Sequence, residues 1–289
     1  MWPSGTSRPG ERSWDGADAA GAPLAWRRVA SAVAGQRIGR RFVYLPSVGS
    51  TNDVARELAE QGEPEGAVVF ADAQTRGRGR AGKSPWLTPP YTSIAVSVLL
   101  RPPLAPAALP QLGMLAAVAA VDAIRGQTGL GAVIKWPNDV LIAGRKAGGV
   151  LVESAVAPGV VRHAIVGIGL NVNVPASALG PLPDAAVPPT SLQDELGVAV
   201  PREALLIALL QELDRRYGAL VRGEGWAIWT EYRARLAMLG ERVTLSQENV
   251  IIEGVAEDVA PDGSLIVLLP SGRRERATFG ELTLRPSTS

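Results

Sequence analysis

The run Gly77-Arg78-Gly79-Arg80-Ala81-Gly82-Lys83-Ser84 satisfies two phosphate-binding patterns at once, and the prolines behind it forbid the fold that either would need. GxGxxG and GxxxxGK[ST] both put their glycines at the opening of a helix whose first N–H groups face phosphate. Here Pro85 follows directly and Pro89-Pro90 fall in the would-be second turn, where a fixed φ and a missing N–H break a helix. The dinucleotide pattern also wants an acidic residue roughly 20 positions on, and none lies between Asp72 and Asp122. A P-loop nucleotidase and a dinucleotide-binding domain are therefore set aside. What remains is a loop whose glycines allow unusual backbone angles and whose Arg78, Arg80 and Lys83 suit a carboxylate or phosphate.

Other chemistries fall to composition. There is no cysteine, so a thiol nucleophile, a disulfide framework and cysteine-ligated metal are excluded. His163 is the one histidine. That rules out a multi-histidine metal site, and its place on a strand pattern reads as structural. Net charge is +1, which disfavours an Arg-Gly element binding RNA backbone. Only three of the 29 basic residues are lysines, Lys83, Lys135 and Lys146, each beside a Gly- or Trp-containing motif. Ammonium and guanidinium are not interchangeable, so these positions are candidates for a point charge.

The order of patterns predicts an α+β fold with a mixed sheet and a small C-terminal β-barrel. Residues 1–36 read as a disordered tail and lead-in, 37–238 as the main domain and 239–289 as the barrel. Strands are expected at Phe42–Leu45, Val68–Ala71, Ser93–Leu100, Val133–Lys135, Val140–Ile142, Val150–Glu153 and Val161–Ile168. Ser50 and Asp53 have capping-box spacing for a helix through about Gln61. Further helices are expected at Leu112–Ile124, from Pro201 to about Leu220, and over Trp226–Met238. After Gly240 come short β patterns at Arg242–Leu245, Val250–Ala256, Leu265–Leu269 and Arg276–Thr278, with Asp262-Gly263 and Ser271-Gly272 as turns. The uncharged run Pro102 to Val121 carries four prolines and reads as too broken to span a membrane. No secretory signal opens the chain, and a cytoplasmic location is expected.

Four segments taken together resemble the biotin protein ligases. They are Ser50-Thr51-Asn52, Gln74 to Lys83 with Trp86, the stretch KWPNDVLIAGRKAGGVLVE from Lys135 to Glu153, and Gly167 to Asn173. The C-terminal β patterns resemble that family's last domain more loosely. The resemblance implies an ATP-dependent ligase: the biotin carboxylate attacks the α-phosphate of ATP, giving biotinyl-5′-AMP and pyrophosphate, and a lysine of a biotin carboxyl carrier domain then takes the biotinyl group. Such chemistry needs positioning and charge neutralisation, with no protein nucleophile.

By the same resemblance, Lys146 is the central ammonium and Arg80 its catalytic partner on the loop. Ser50, Thr51, Asn52, Gln74, Arg78, Arg80, Lys146, Gly148 and Gly149 bind biotin. Arg78, Trp86, Asn138, Lys146 and Asn171 contact the nucleotide, and Asp139 helps hold Mg2+ or pairs with Lys135. Ser50 either caps its helix or faces the ureido ring, and Trp86 either stacks on adenine or is a buried structural residue. A lipoate ligase is the nearest rival, and the polar Ser50, Thr51, Asn52 and Gln74 favour a ureido ring over an apolar dithiolane. Pro85 reads as an extra residue before Trp86. The expected protein is a monofunctional ligase without a DNA-binding domain, a monomer or weak homodimer, with no nucleic-acid or membrane partner.

Overall fold

The computed structural model describes residues 21–79, 86–179, 187–247, 250–278 and 280–284. After α1 (Trp26–Ala32) the chain runs β1 (Arg41–Leu45), α2 (Thr51–Glu60), β2 (Ala67–Ala71), β3 (Gln74–Gly77), β4 (Trp86–Thr88), β5 (Ser93–Leu100) and α3 (Pro110–Thr128). Then follow β6 (Val133–Lys135), β7 (Asp139–Ile142), β8 (Arg145–Ala157), β9 (Val160–Asn171), α4 (Leu192–Leu196), α5 (Arg202–Val221) and α6 (Gly225–Arg233). The last strands are β10 (Arg242–Gln247), β11 (Val250–Val259), β12 (Leu265–Leu268), β13 (Arg274–Ala277) and β14 (Glu281–Leu284).

A seven-stranded sheet in the order β1-β2-β5-β9-β8-β7-β6 carries the domain. Its β1–β2 pair is parallel and the other pairs are antiparallel, so the sheet is mixed as expected. Helix α3 packs on one face with α5 behind it, and α2 packs on the other over β2, β5 and β9. The prolines expected to interrupt the apolar run lie before α3 and at its first turn, so the helix continues unbroken for 19 residues. By length and composition α3 could cross a membrane, but its Leu112, Leu115, Val118, Val121 and Ile124 are buried in the core between sheet and α5. That burial accounts for its apolarity.

The helix expected over Trp226–Met238 ends early, at Arg233. Beyond it the backbone extends beside β6: Ile134 N–H donates to the Arg235 carbonyl at 2.8 Å, and Ala237 N–H to the Ile134 carbonyl at 2.9 Å. Strand pairing satisfies there what helix bonds would have satisfied. The C-terminal strands pair antiparallel in the order β13-β12-β11-β10-β14, with β13 and β14 outermost among the described residues. Trp136 ties them to the main domain, its buried indole N–H donating to the Gly263 carbonyl at 2.8 Å.

The lead-in is held by a buried ion pair. Arg202 meets Asp72 at 2.9 Å, and Asp72 also accepts the Tyr44 hydroxyl at 2.7 Å and the Leu24 N–H at 3.4 Å. Burial, together with the Asp72 carboxylate, pushes the Tyr44 phenol up to about 12, so it remains a donor at any working pH. Asp72 sits between β2 and β3. Asp72→Ala strands a buried guanidinium, and urea unfolding is expected to show a loss of about 3–5 kcal/mol; a loss under about 1 kcal/mol, as for exposed pairs, would contradict this role.

Candidate active site

The sheet face under α2 changes character along its strands. At one end Val69, Leu99 and Ile165 pack beneath Ala55 and Ala59 of the helix. Farther along, the register places Gly167 and Gly169 on β9 opposite Ser97 and Ala95 on β5, and opposite Leu151 and Gly149 on β8. These positions share the α2 face because direct antiparallel partners project to the same side. Gly149, Leu151 and Gly169 remain partly accessible in the middle of the sheet. A floor of glycine and alanine in central strands leaves room for something else to lie on it.

The first turn of α2 forms one rim. Thr51 donates to the Gln74 side-chain oxygen twice, from its N–H at 2.8 Å and its hydroxyl at 3.1 Å. The Ser97 hydroxyl lies 2.8 Å from Thr51 Oγ1 and 2.6 Å from Asn52 Oδ1. Asn52 Nδ2 donates to Glu153 at 2.6 Å. An added Cβ on Gly167 would lie 2.2 Å from Asn52 Oδ1, so only glycine lets this amide rest on the floor. Ser50, Thr51, Asn52 and Gln74 are thus brought together, all at least nine-tenths buried. The Ser50 side chain makes no capping bond. The capping box expected from its spacing is therefore absent, because Asp53 turns outward to Arg56 and Arg78.

Lys146 forms the opposite rim through a β-bulge. Val140 pairs with Gly148 and Leu141 with Lys146, which leaves Ala147 as an extra residue in β8. In a regular strand Lys146 would share a face with Gly148 and Val150, toward the α3 core; the extra residue reverses this. A Cβ on Gly149 would lie 3.7 Å from Lys146 Cε and 3.5 Å from Asp139 Oδ1. The ammonium pairs with Asp139 at 2.7 Å and lies 5.9 Å from the Trp86 ring centre. So the structure places Asp139 on Lys146 as well as across the hairpin from Lys135. Gly148 faces the other way: a Cβ there would meet Leu170 Cδ2 at 2.5 Å and the Gly169 carbonyl at 2.8 Å. Of the expected glycine pair, only Gly149 opens on the floor.

Trp86 lies over Gly169, where an added Cβ would come within 2.5 Å of its Nε1. That Nε1 is buried and has no partner among the described residues. Asn138 and Asn171 commit their side-chain N–H groups to backbone, to the carbonyls of Val150 and Thr190 respectively. Arg78 reaches Asp53 at 2.7 Å and Glu153 at 2.9 Å. Burial raises the Asp53 pKa, but Arg78 and Arg56 outweigh it and hold this carboxyl below its ordinary range. Arg80 and Lys83 lie outside the described residues. Ser97 and Glu153 are site residues that sequence reasoning did not single out, and Asp53, expected in a capping box, instead holds Arg78. Ser97 had a signal, a hydroxyl in a strand otherwise almost wholly apolar.

Residues 44–171 match the Biotin/lipoate A/B protein ligase family, and residues 238–285 match the Biotin protein ligase C terminal domain. The biotin–[acetyl-CoA-carboxylase] ligase of Paracoccus denitrificans is 37% identical over 233 residues, covering 80% of this chain and 95% of that protein. The bifunctional ligase/repressor BirA of Bacillus spizizenii is 39% identical over 181 residues, covering 62% of this chain. The chain spans only about half of that relative's length, 54%. Among solved structures, the biotin protein ligase from Aquifex aeolicus in complex with biotin and ATP superposes with a TM-score of 0.70 at 28% identity, covering 86% of this chain and 100% of that one.

The tight seat of Asn52 generates a prediction. Its amide is held by Ser97 and Glu153, so Gly167→Ala cannot be relieved by a free side-chain swing. Thermal or urea unfolding is expected to show a loss of about 1–3 kcal/mol; an unchanged midpoint would mean that Asn52 does not rest on this glycine.

Proposed function

The chain belongs to the biotin protein ligase family, and on that ground we propose that it joins biotin to ATP as biotinyl-5′-AMP and passes the biotinyl group to a lysine of a biotin carboxyl carrier domain. The observation that carries this reading is the bulge-directed Lys146 ammonium beside Gly149 and Trp86, on the same sheet face as the polar rim at Asn52. Two anions must meet for the first step, a carboxylate and the α-phosphate. Between unit charges about 4 Å apart, at the effective dielectric of a protein surface, the interaction is about 4 kcal/mol per pair. A single ammonium touching both turns that repulsion into attraction and stabilises the charge that builds on the phosphate as pyrophosphate leaves.

At the other rim, the ureido ring of biotin presents one carbonyl and two N–H groups. Ser50, Thr51, Asn52 and Gln74 supply the matching donors and acceptors, and Ser97 holds the Asn52 amide oxygen from below. This polar rim favours biotin over lipoate, whose dithiolane offers these groups no further hydrogen-bonding partner. Trp86, lying against Gly169 near Lys146, supplies an aromatic wall for the adenylate. In the second step the carrier's lysine amine attacks the carbonyl carbon of the mixed anhydride, and AMP departs with the bonding electrons on its phosphate oxygen.

Magnesium fits this site as part of MgATP. No group of three His, Asp or Glu able to hold an ion occurs among the described residues, and Asp139 already gives Oδ1 to Lys146. Mg2+ usually keeps waters and phosphate oxygens with one or two carboxylates, so Asp139 would supply at most its remaining oxygen.

The test is intact mass of a carrier domain incubated with this protein, MgATP and either biotin or lipoate. A biotinyl adduct on the carrier is expected. A lipoyl adduct alone would replace the proposed substrate, and no adduct from either acid would remove the reading. Lys146→Ala should lower biotin-dependent pyrophosphate exchange by about a hundredfold to a thousandfold without changing the unfolding free energy by more than about 1 kcal/mol; full activity in a folded variant would contradict the role given to Lys146.

A further inference from the structure

Arg78 is the first basic residue of the glycine-rich run, and its guanidinium is already occupied by protein. Nη1 donates to Asp53 Oδ1 at 2.7 Å. Nη2 lies 3.1 Å from Glu153 Oε1 and 2.9 Å from Oε2. The two carboxylates come from different elements, the first turn of α2 and the middle of β8. Arg56 pairs with Asp53 from the next turn of α2 and approaches Glu153 at 3.9 Å. Two cations and two anions therefore balance within the cluster.

Glu153 has a second duty. Its Oε2 accepts from Asn52 Nδ2, while Asn52 Oδ1 accepts from Ser97. Those two bonds fix which end of the Asn52 amide is oxygen and which is nitrogen. One carboxylate thus orients a group of the ureido rim and holds the root of the glycine-rich loop.

We propose that Asp53 and Glu153 are positioning residues, a two-carboxylate clamp that sets the direction of Arg78 and of the Asn52 amide before substrate arrives. What the clamp serves rests on the ligase reading above; that it holds Arg78 does not. A planar guanidinium bound at two corners loses little further freedom when its remaining N–H groups meet an anion. Leu151 and Gly149 continue the line of Glu153 along the same strand face, so the clamp stands at one end of the floor and Lys146 at the other. This set of contacts leaves no local pattern in the sequence, because Asp53 and Glu153 lie 100 positions apart and are bridged by Arg78, with Arg56 beside them.

Two measurements test it. In biotin-dependent pyrophosphate exchange, Glu153→Gln and Arg78→Lys should each raise the KM for biotin about tenfold with kcat changed less than about threefold, the pattern of lost binding orientation. Combined, they should do little more than either alone, because both remove one shared arrangement. Additive effects, or an unchanged KM, would overturn the clamp. A second readout is independent of activity: trypsin cleavage after Arg78, followed by mass spectrometry under native conditions, reports local release of that side chain. It should be at least about fivefold faster in Glu153→Gln and in Asp53→Asn than in the parent, with the rate of loss of intact α3 unchanged. Equal cleavage after Arg78 in all three proteins would overturn the clamp even where the parent shows no exchange with biotin, an outcome that would separately remove the ligase reading.

Discussion

One extra residue in a strand decides which side of the sheet Lys146 faces. Without the bulge at Ala147 the ammonium would point into the apolar layer beneath α3, where an unpaired charge is costly. With it, the lysine joins Asp139 and Gly149 on the accessible face. The backbone cost of the bulge is offset locally. Lys146 N–H donates to the Pro188 carbonyl and its own carbonyl accepts from Thr190 N–H, so the segment at 188–190 acts as a partner strand where the ladder is disturbed.

The remainder of the site follows from what the sheet does not carry on that face. Helix α2 covers only the end where Val69, Leu99 and Ile165 are large. Beyond Asn52, apart from Leu151, the positions are Gly167, Gly169, Ala95 and Gly149, too small to fill the layer themselves. Polar groups gather at the step between the two regions, where Ser97 and Glu153 rise from the sheet to meet the start of the helix. The same seam that ends the apolar core therefore supplies the hydrogen-bonding rim.

Much of this was legible beforehand, for identifiable reasons. The core strands and α5 announce themselves through apolar periodicity, and the motif segments name Ser50, Thr51, Asn52, Gln74 and Lys146, which the fold brings to one face. The bulge was not legible: Ala147-Gly148-Gly149 looks the same in a turn or a strand, so nothing local says which face Lys146 takes. Nor was the commitment of Arg78, Asn138 and Asn171 to protein partners, since long-range hydrogen bonds leave no local pattern. Gly148 and Gly149 are adjacent letters that serve opposite faces, a distinction only register can make. The end of α6 was misjudged because Leu236 looks like one more helical apolar position, whereas its backbone is claimed by the edge of β6.

Scarcity of lysine makes the central claim directly observable. With lysine carbons labelled at the ε position, this chain gives signals from only Lys83, Lys135 and Lys146, and Lys146→Arg identifies one of them by its disappearance. Titration with biotin and a non-hydrolysable ATP analogue should move the Lys146 signal more than the Lys135 signal, as the ammonium exchanges Asp139 for substrate oxygens. Saturable binding of both ligands with the Lys146 signal unmoved would contradict the account.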